Sequence, residues 1–398
     1  MAETDGVSLS PLQLPNIVRD VLDFCDGRSL CNSLQVNHLW HQTASSLLKR
    51  RCRFSSLLVT GESMNECAEK ARRFVVSVRS IPAAVIAFAY GVRRRKTYEK
   101  GMAAIYRALP RGTKMIGALV DGIIGMTETG VAEEILEAEE DEVCLSVLVV
   151  PKVPGLTVQT FNCGENFSRS VCPTMSSSDY IEMFEGFNFN SVKLIITLET
   201  MRLDRYLGMT SVPNNFLEFM LSSCGHGSQI VGGVPEPYSI FIDGTLHREA
   251  VVAGMALGGD AFSYGALVSN GDKYEIDEQL QHLRLQVELS QLMNMACFLC
   301  ICVGRGECLH GEKSVESRLI QKRFSGVPIC GFFGQGEVGV MGTHDFTPSQ
   351  PTQNPEESIE SPSAKKPRRK SKRNLAQGFT SSYGFMLIHP PKSKSVSM

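Results

Sequence analysis

The chain has 398 residues, enough for two or three domains that each bury a core. Forty basic residues stand against forty-two acidic ones, a formal net charge of −2, so there is no global electrostatic pull toward nucleic acid or an anionic membrane. Thirteen cysteines, an odd set that includes Cys25, Cys144, Cys297, Cys300 and Cys330 within apolar runs, read as reduced core residues of a cytosolic or nuclear protein rather than a disulfide framework.

The opening MAETDGVSLSPLQLP is acidic and lacks a basic segment followed by an apolar core, which argues against a secretory signal. The longest apolar runs, 81–90 and 143–150, have strand length and fall far short of a membrane span. From Leu14 onward Ile17, Val18, Val21 and Leu22 recur at helical spacing, and Leu30, Leu34, Leu39, Leu47 and Leu48 sit in later helical stretches separated by the turn-like DGRS. Such a group, about forty residues long, is too small to bury a generous core alone and expects a partner to finish its apolar faces.

After residue 55 helix and strand patterns alternate. KMIGALVDGIIGM carries Gly117, Gly122 and Gly125 in the spacing G-x4-G-x2-G, and Gly331, Gly336 and Gly339 repeat it. A strand-like AVIAFAY and a helical YEKGMAAIYRALP precede the first copy; ACFLCICVGRG and EKSVESRLIQKRF precede the second. A looser third unit, VKLIITLE, VPNNFLEFMLSS and QIVGGVP, lies between them. The repeat predicts strand–helix–strand units forming two related α/β lobes. Hairpin-like sequence after each unit predicts mixed rather than purely parallel sheets. The fold class expected is therefore α+β.

Residues 345–377 lose any packable apolar face and read as a disordered insertion. Within it Lys365, Lys366, Arg368, Arg369, Lys370, Lys372 and Arg373 suit a nuclear-import signal, with a merely solvating charge run as the alternative. Beyond it SSYGFMLIHP alternates again, so the last strand of the second lobe is expected there, with Tyr383, Phe385 and Leu387 on one face.

Gly334, Gly336 and Gly339 also fit G-x-G-x-x-G. A dinucleotide site needs a helix to start at the glycines, and VMGTHDFTPSQP lacks a helical period. Cys297, Cys300, Cys302, Cys308 and His310 invite a zinc reading, but strand alternation sends Cys297 and Cys300 to opposite faces, and no second CxxC is present; no metal or cofactor is expected. His226 and Glu337 sit among glycines without a nameable acid or base partner. Cys302, beside Arg305, is the best candidate for an accessible thiol, against the plainer reading of an inert half-buried cysteine. If the strands ending near Cys302 and Gly334 run parallel, then Cys302, Gly304, Arg305, Gly331, Gly336 and Glu337 surround one sheet edge, a place for a recognition mouth with Arg305 free for an acidic group.

LPNIVRDVLDFCDGRSLCNSLQVNHLWHQTAS resembles the F-box: Leu14, Pro15, Ile17, Val18, Val21 and Leu22 in a first helix, Leu30 and Leu34 in the next, then Val36, Asn37 and Trp40 where the family has V-x-x-x-W. FCDGRSL replaces the common LPPKDL. The remainder resembles FIST domains, carried by ACFLCICVGRG and VPICGFFGQGEVG, and the pairing is similar to that of F-box-only FIST proteins. The resemblance implies an F-box over 10–54 and FIST lobes over 55–235 and 236–398. It implies docking on the Skp adaptor and cullin scaffold of a ubiquitin ligase, with the lobes selecting a protein substrate and no catalytic residue in this chain. Nucleus and cytoplasm are the expected locations. A ligand-sensing α/β protein, or a redox enzyme using Cys302, stays open as the alternative.

Overall fold

The computed structural model describes residues 14–136, 142–163, 184, 187–199, 202–204, 208–210, 214–224, 227–248, 250, 252–346, 376–377 and 379–389. Pro15, whose missing N–H costs nothing in a first turn, starts α1 (Pro15–Asp23). Asp26 caps α2 (Gly27–Ser33) by accepting from Ser29 N at 2.7 Å, and Asn37 caps α3 (His38–Arg50) by accepting from Trp40 N at 3.0 Å. Val18, Leu22, Leu30, Ala44 and Leu47 form a small core of their own.

Arg51 ties these helices down. Its guanidinium donates to the carbonyls of Leu22 (3.1 Å), Asp23 (2.8 Å) and Cys25 (2.6 Å), satisfying the open end of α1, and reaches Arg79 O at 3.2 Å in the next module. Gly27 N donates to Val78 O at 3.0 Å, and a Cβ on Gly27 would lie 2.6 Å from Ser80 O, so only glycine permits this approach.

The rest is built from three equivalent units, not two. The first runs β1 (Ser55–Gly61), α4 (Met64–Ser77), β2 (Pro82–Tyr90), α5 (Arg95–Ala108), β3 (Lys114–Leu119), a hairpin β4 (Gly122–Met126) and β5 (Ala132–Ile135), then β6 (Val143–Pro151). The second has β7 (Thr157–Cys163), β8 (Val192–Glu199), the small ribbon β9 (Arg202–Asp204) and β10 (Gly208–Thr210), α6 (Asn214–Ser223), β11 (Gln229–Gly233), the hairpin β12 (Ile240–Ile242) and β13 (Thr245–His247), and β14 (Val252–Gly258). The third has β15 (Phe262–Ser269), α7 (Lys273–Leu285), β16 (Met295–Cys302), α8 (Gly306–His310), α9 (Val315–Arg323), β17 (Ile329–Gly334), β18 (Glu337–Gly339), β19 (Gly342–His344), β20 (Ala376–Gln377) and β21 (Ser381–Ile388).

Each unit contributes four strands in the order first, last, second, third, and each sheet is then extended by strands from another unit: β1-β6-β2-β3-β12-β13, β7-β14-β8-β11-β18-β20, and β19-β15-β21-β16-β17-β4-β5. Among the described strands only β2–β3, β8–β11 and β16–β17 pair parallel, each across a helical crossover; the sheets are mixed and the fold is α+β, as expected. The boundary expected at 235/236 falls inside the second unit, because β12–β13 closes the first unit's sheet and β14 returns to the second.

The paired glycines have a common cause. A Cβ on Gly117 would sit 2.3 Å from Ala87 O, one on Gly232 2.0 Å from Thr197 O, and one on Gly331 1.9 Å from Leu299 O, so the third strand of every unit presses its backbone onto the parallel second strand. Gly336 leads directly into β18, a strand, so no helix N-terminus is available there for a pyrophosphate.

The three sheets turn one face inward to a shared core containing Ile86, Phe88, Ile196, Phe298, Cys300 and Phe332, and the other outward against helices. Cys297 belongs to the outer core under α7 and α9 and Cys300 to the central one, on opposite faces of β16. The ends of the expected insertion are ordered: Asp345 accepts from His282 Nε2 at 3.0 Å and Gln286 Nε2 at 2.6 Å, and Ala376–Gln377 pair with β18. The basic run Lys365–Arg373 lies outside the described residues, as does His226.

Candidate functional site

Two places answer to the sequence expectations. On the N-terminal helices, Leu14, Ile17, Val21 and Phe24 recur at positions i, i+3, i+7 and i+10 and form an exposed apolar stripe along α1; Phe24 is 83% exposed. Val36, just before the Asn37 cap, is exposed beside α3. Val18, Leu22 and Leu30, expected on the same docking face, are instead fully buried in the helices' own core, and Leu34 and Trp40 pack half-buried against it. Pro15 acts in starting the helix. Phe24 continues the Ile17–Val21 spacing and is legible from that period alone.

The second place is the C-terminal edge of β16 and β17, which run parallel with Cys302 opposite Gly334, so both strand ends do meet. The mouth expected there is filled. Arg305 is 1% exposed, and its guanidinium is consumed: Nε donates to Glu316 Oε1 (3.0 Å), one terminal nitrogen to Phe379 O (3.1 Å) and the other to Gly271 O (2.7 Å). Glu316 also accepts from His310 Nε2 at 3.0 Å and from the Tyr383 hydroxyl. Burial raises the Glu316 carboxyl, but the His310 hydrogen bond and the Arg305 charge outweigh it and hold the group below its ordinary value. This is a buried, hydrogen-bonded charge network, not a free cation awaiting an acidic ligand.

Cys302 is corrected too. Burial and then the Glu337 carboxylate push its thiol up, so the thiolate expected from Arg305 does not form. Glu337 Oε2 accepts from Thr380 N (3.3 Å) and Thr380 Oγ (2.8 Å), while Oε1 has no hydrogen-bond partner among the described residues. Gly304 lies under the Phe379 ring, Gly331 is mid-strand against Leu299 O, and Gly336 O accepts from Val234 N at 2.9 Å. His310, Glu316, Tyr383 and Glu134, which build this edge, come from four different elements. Only Glu316 carries a sequence signal, lying four residues before the buried Ile320 on one helix face.

Burial raises Glu199 to about 8, and Glu134 and Glu337 to about 7, from an ordinary 4.5. The native state therefore holds protons that the unfolded chain has released between pH 4.5 and 8, so the contribution of these three groups to stability is full below that window and falls as pH rises through it. Each such proton is worth about 1.4 kcal/mol per pH unit. The melting temperature is expected to drop from pH 5.5 to 8.5, and Glu199→Gln to flatten the decline; a melting temperature that climbs over this range in both proteins would contradict the assignment.

Comparison with known proteins gives matches of three kinds. Residues 248–340 match the FIST C domain family, a stretch that runs from just before β14 through β18. F-box only protein 22 of Pongo abelii is 22% identical over 362 residues, covering 82% of this chain and 84% of that one. F-box only protein 22 of Homo sapiens is 22% identical over 357 residues with the same coverage, 82% and 84%. Among solved structures, a cyanuric acid hydrolase aligns with a TM-score of 0.39 at 8% identity over 84% of this chain and 99% of the other. The enzyme of that name from A. caulinodans aligns at 0.36 and 7%, covering 84% and 99%.

Proposed function

We propose that this protein is the substrate-recognition subunit of a Skp–cullin–F-box ubiquitin ligase, with α1–α3 docking on the Skp adaptor and the three-unit body taking the protein substrate. The observation that carries the reading is the exposed stripe Leu14, Ile17, Val21 and Phe24 on a three-helix group whose own core is already complete. Such a stripe needs a partner to leave water. The Arg51 and Gly27 links hold that group against the body, which suits a subunit that must present substrate at a fixed distance from its adaptor. The similarity to F-box only protein 22 supports the same reading. Ubiquitin transfer then belongs to partner proteins, and this chain needs no catalytic residue.

Ile17→Asp with Val21→Asp would force two unpaired charges into the contact. Co-precipitation of the Skp adaptor and cullin is expected to fall more than tenfold, with the melting temperature of the body unchanged. Capture at the level of the parent protein would sink the reading. The basic run Lys365–Arg373 is proposed as the nuclear-import signal of a protein shared between nucleus and cytoplasm. Deleting residues 349–374 is expected to shift it toward the cytoplasm.

A further inference from the structure

Between α2 and the first unit lies a cavity of 330 Å³, walled on one side by Gly27, Arg28 and Cys31 and on the other by the ends of α4 and α5. Its floor is apolar, with Val75, Val78, Pro82 and Leu109 all buried. Three arginines, Arg28, Arg107 and Arg111, line it, no acidic residue does, and no guanidinium of the three makes a hydrogen bond or ion pair with the described residues. An additional positive field from Lys152 reaches the Cys31 wall.

The other two large cavities differ in kind. The 880 Å³ crevice at the ends of β1 and β2 mixes Arg93 and Arg94 with Glu62, Glu66 and Glu142. The 660 Å³ one beside α1 holds Asp20 and Asp23 among its arginines, and Arg51 there is spent on backbone carbonyls. Of these three, the α2 cavity alone joins an apolar floor to unpaired charge of a single sign.

Apolar walls with a few convergent polar groups, at a junction between modules, are the usual composition of a small-molecule site, and 330 Å³ suits a compact ligand. The walls are fixed before any ligand arrives, since Gly27 N is bonded to Val78 O and Arg51 to Arg79 O, so little ordering is left to oppose binding. Guanidinium forks match planar or tetrahedral oxyanions. We infer that this cavity binds a small amphipathic anion, an acyl or aryl body that fills the apolar floor and ends in one carboxylate or phosphate monoester held by Arg28, Arg107 and Arg111. Because the ligand would touch both α2 and the body, it would act as a wedge that fixes how the body is carried relative to the N-terminal helices.

The test uses the full chain with decanoate, decyl phosphate and decanol as calorimetric probes below their micellar concentrations. Decanoate or decyl phosphate is expected to bind saturably at one site and to raise the melting temperature, with decanol at least tenfold weaker; the tighter of the two anions identifies the head group. Arg107→Ala with Arg111→Ala removes two exposed side chains and leaves the unliganded melting temperature in place. It should weaken the anions at least tenfold and leave decanol unchanged. Failure of both anions to saturate at millimolar concentration, or equal binding to parent and double variant, overturns the inference. Ile17→Asp with Val21→Asp retains anion binding if the site is as described, whatever becomes of adaptor capture.

Discussion

Truncation after Gln377 is expected to leave the chain insoluble, while deletion of 349–374 leaves melting within a few degrees of the parent. The strand lost in the truncation, β21, is not an edge. It lies between β15 and β16, bonded from Phe262–Ile388 to Ser269–Ser381 on one side and from Met295–Leu387 to Ile301–Ser381 on the other. Its removal opens two long apolar edges at once. It also takes Tyr383, Phe385 and Leu387 from the outer core and Met386 and Ile388 from the central one, at about 1.5–3 kcal/mol for each large buried side chain. Five such losses are of the same size as the whole stability of about 5–15 kcal/mol that an ordinary domain possesses. The 349–374 deletion removes none of these side chains, and shortening the connection between β19 and β20 changes the closure entropy little. Soluble yield and circular-dichroism melting distinguish the two proteins; equal behaviour would mean that β21 is dispensable.

Legibility in the sequence tracks the range of the interaction. The α+β class, the helices at the N-terminus, the parallel strands and the return of the chain into a final strand all come from periodicities a few residues long. The glycine pair is visible because Gly117 and Gly331 obey the same local rule, close approach to a carbonyl of the parallel neighbour. The second unit is only loosely visible, because its strand and helix pattern is less regular and its hairpin β12–β13 serves the first unit's sheet; exchange between units leaves no trace in local spacing. On α1 two adjacent apolar stripes, Ile17–Val21 and Val18–Leu22, look alike in sequence, and only packing against Leu30 and Leu47 decides which one is inside. Arg305 misleads for the same reason. Its partners lie at Gly271, Glu316 and Phe379, and next to a glycine in the sequence it reads as an exposed loop cation.

Arg305→Met is therefore expected to destabilise the protein by about 3–5 kcal/mol, the range for removing one member of a buried charge pair, rather than to weaken ligand capture. The loss has two sources: Gly271 O and Phe379 O are left without their donors, and Glu316 keeps its burial while losing the cation that holds its carboxyl down. Replacing both partners, Arg305→Met with Glu316→Gln, removes the uncompensated charge and should recover a large share of the stability, since His310 and Tyr383 can still bond an amide. The two variants also differ in pH response. With Arg305 gone, burial is opposed only by the hydrogen bonds from His310, Ser381 and Tyr383, so the Glu316 carboxyl rises from its depressed value, and the deficit of Arg305→Met relative to the parent is smallest in acid and grows as pH rises to the variant's folded value. The double variant has no carboxyl at this position to titrate, and its deficit relative to the parent is expected to vary far less with pH. Urea titrations at pH 5.5 and 8.0 read all of this from the midpoints, with the slope unchanged. A single variant as stable as the parent at both pH values would show that the network carries no stability. Adaptor capture is expected to survive in both variants, because nothing in the Arg305 network touches α1–α3.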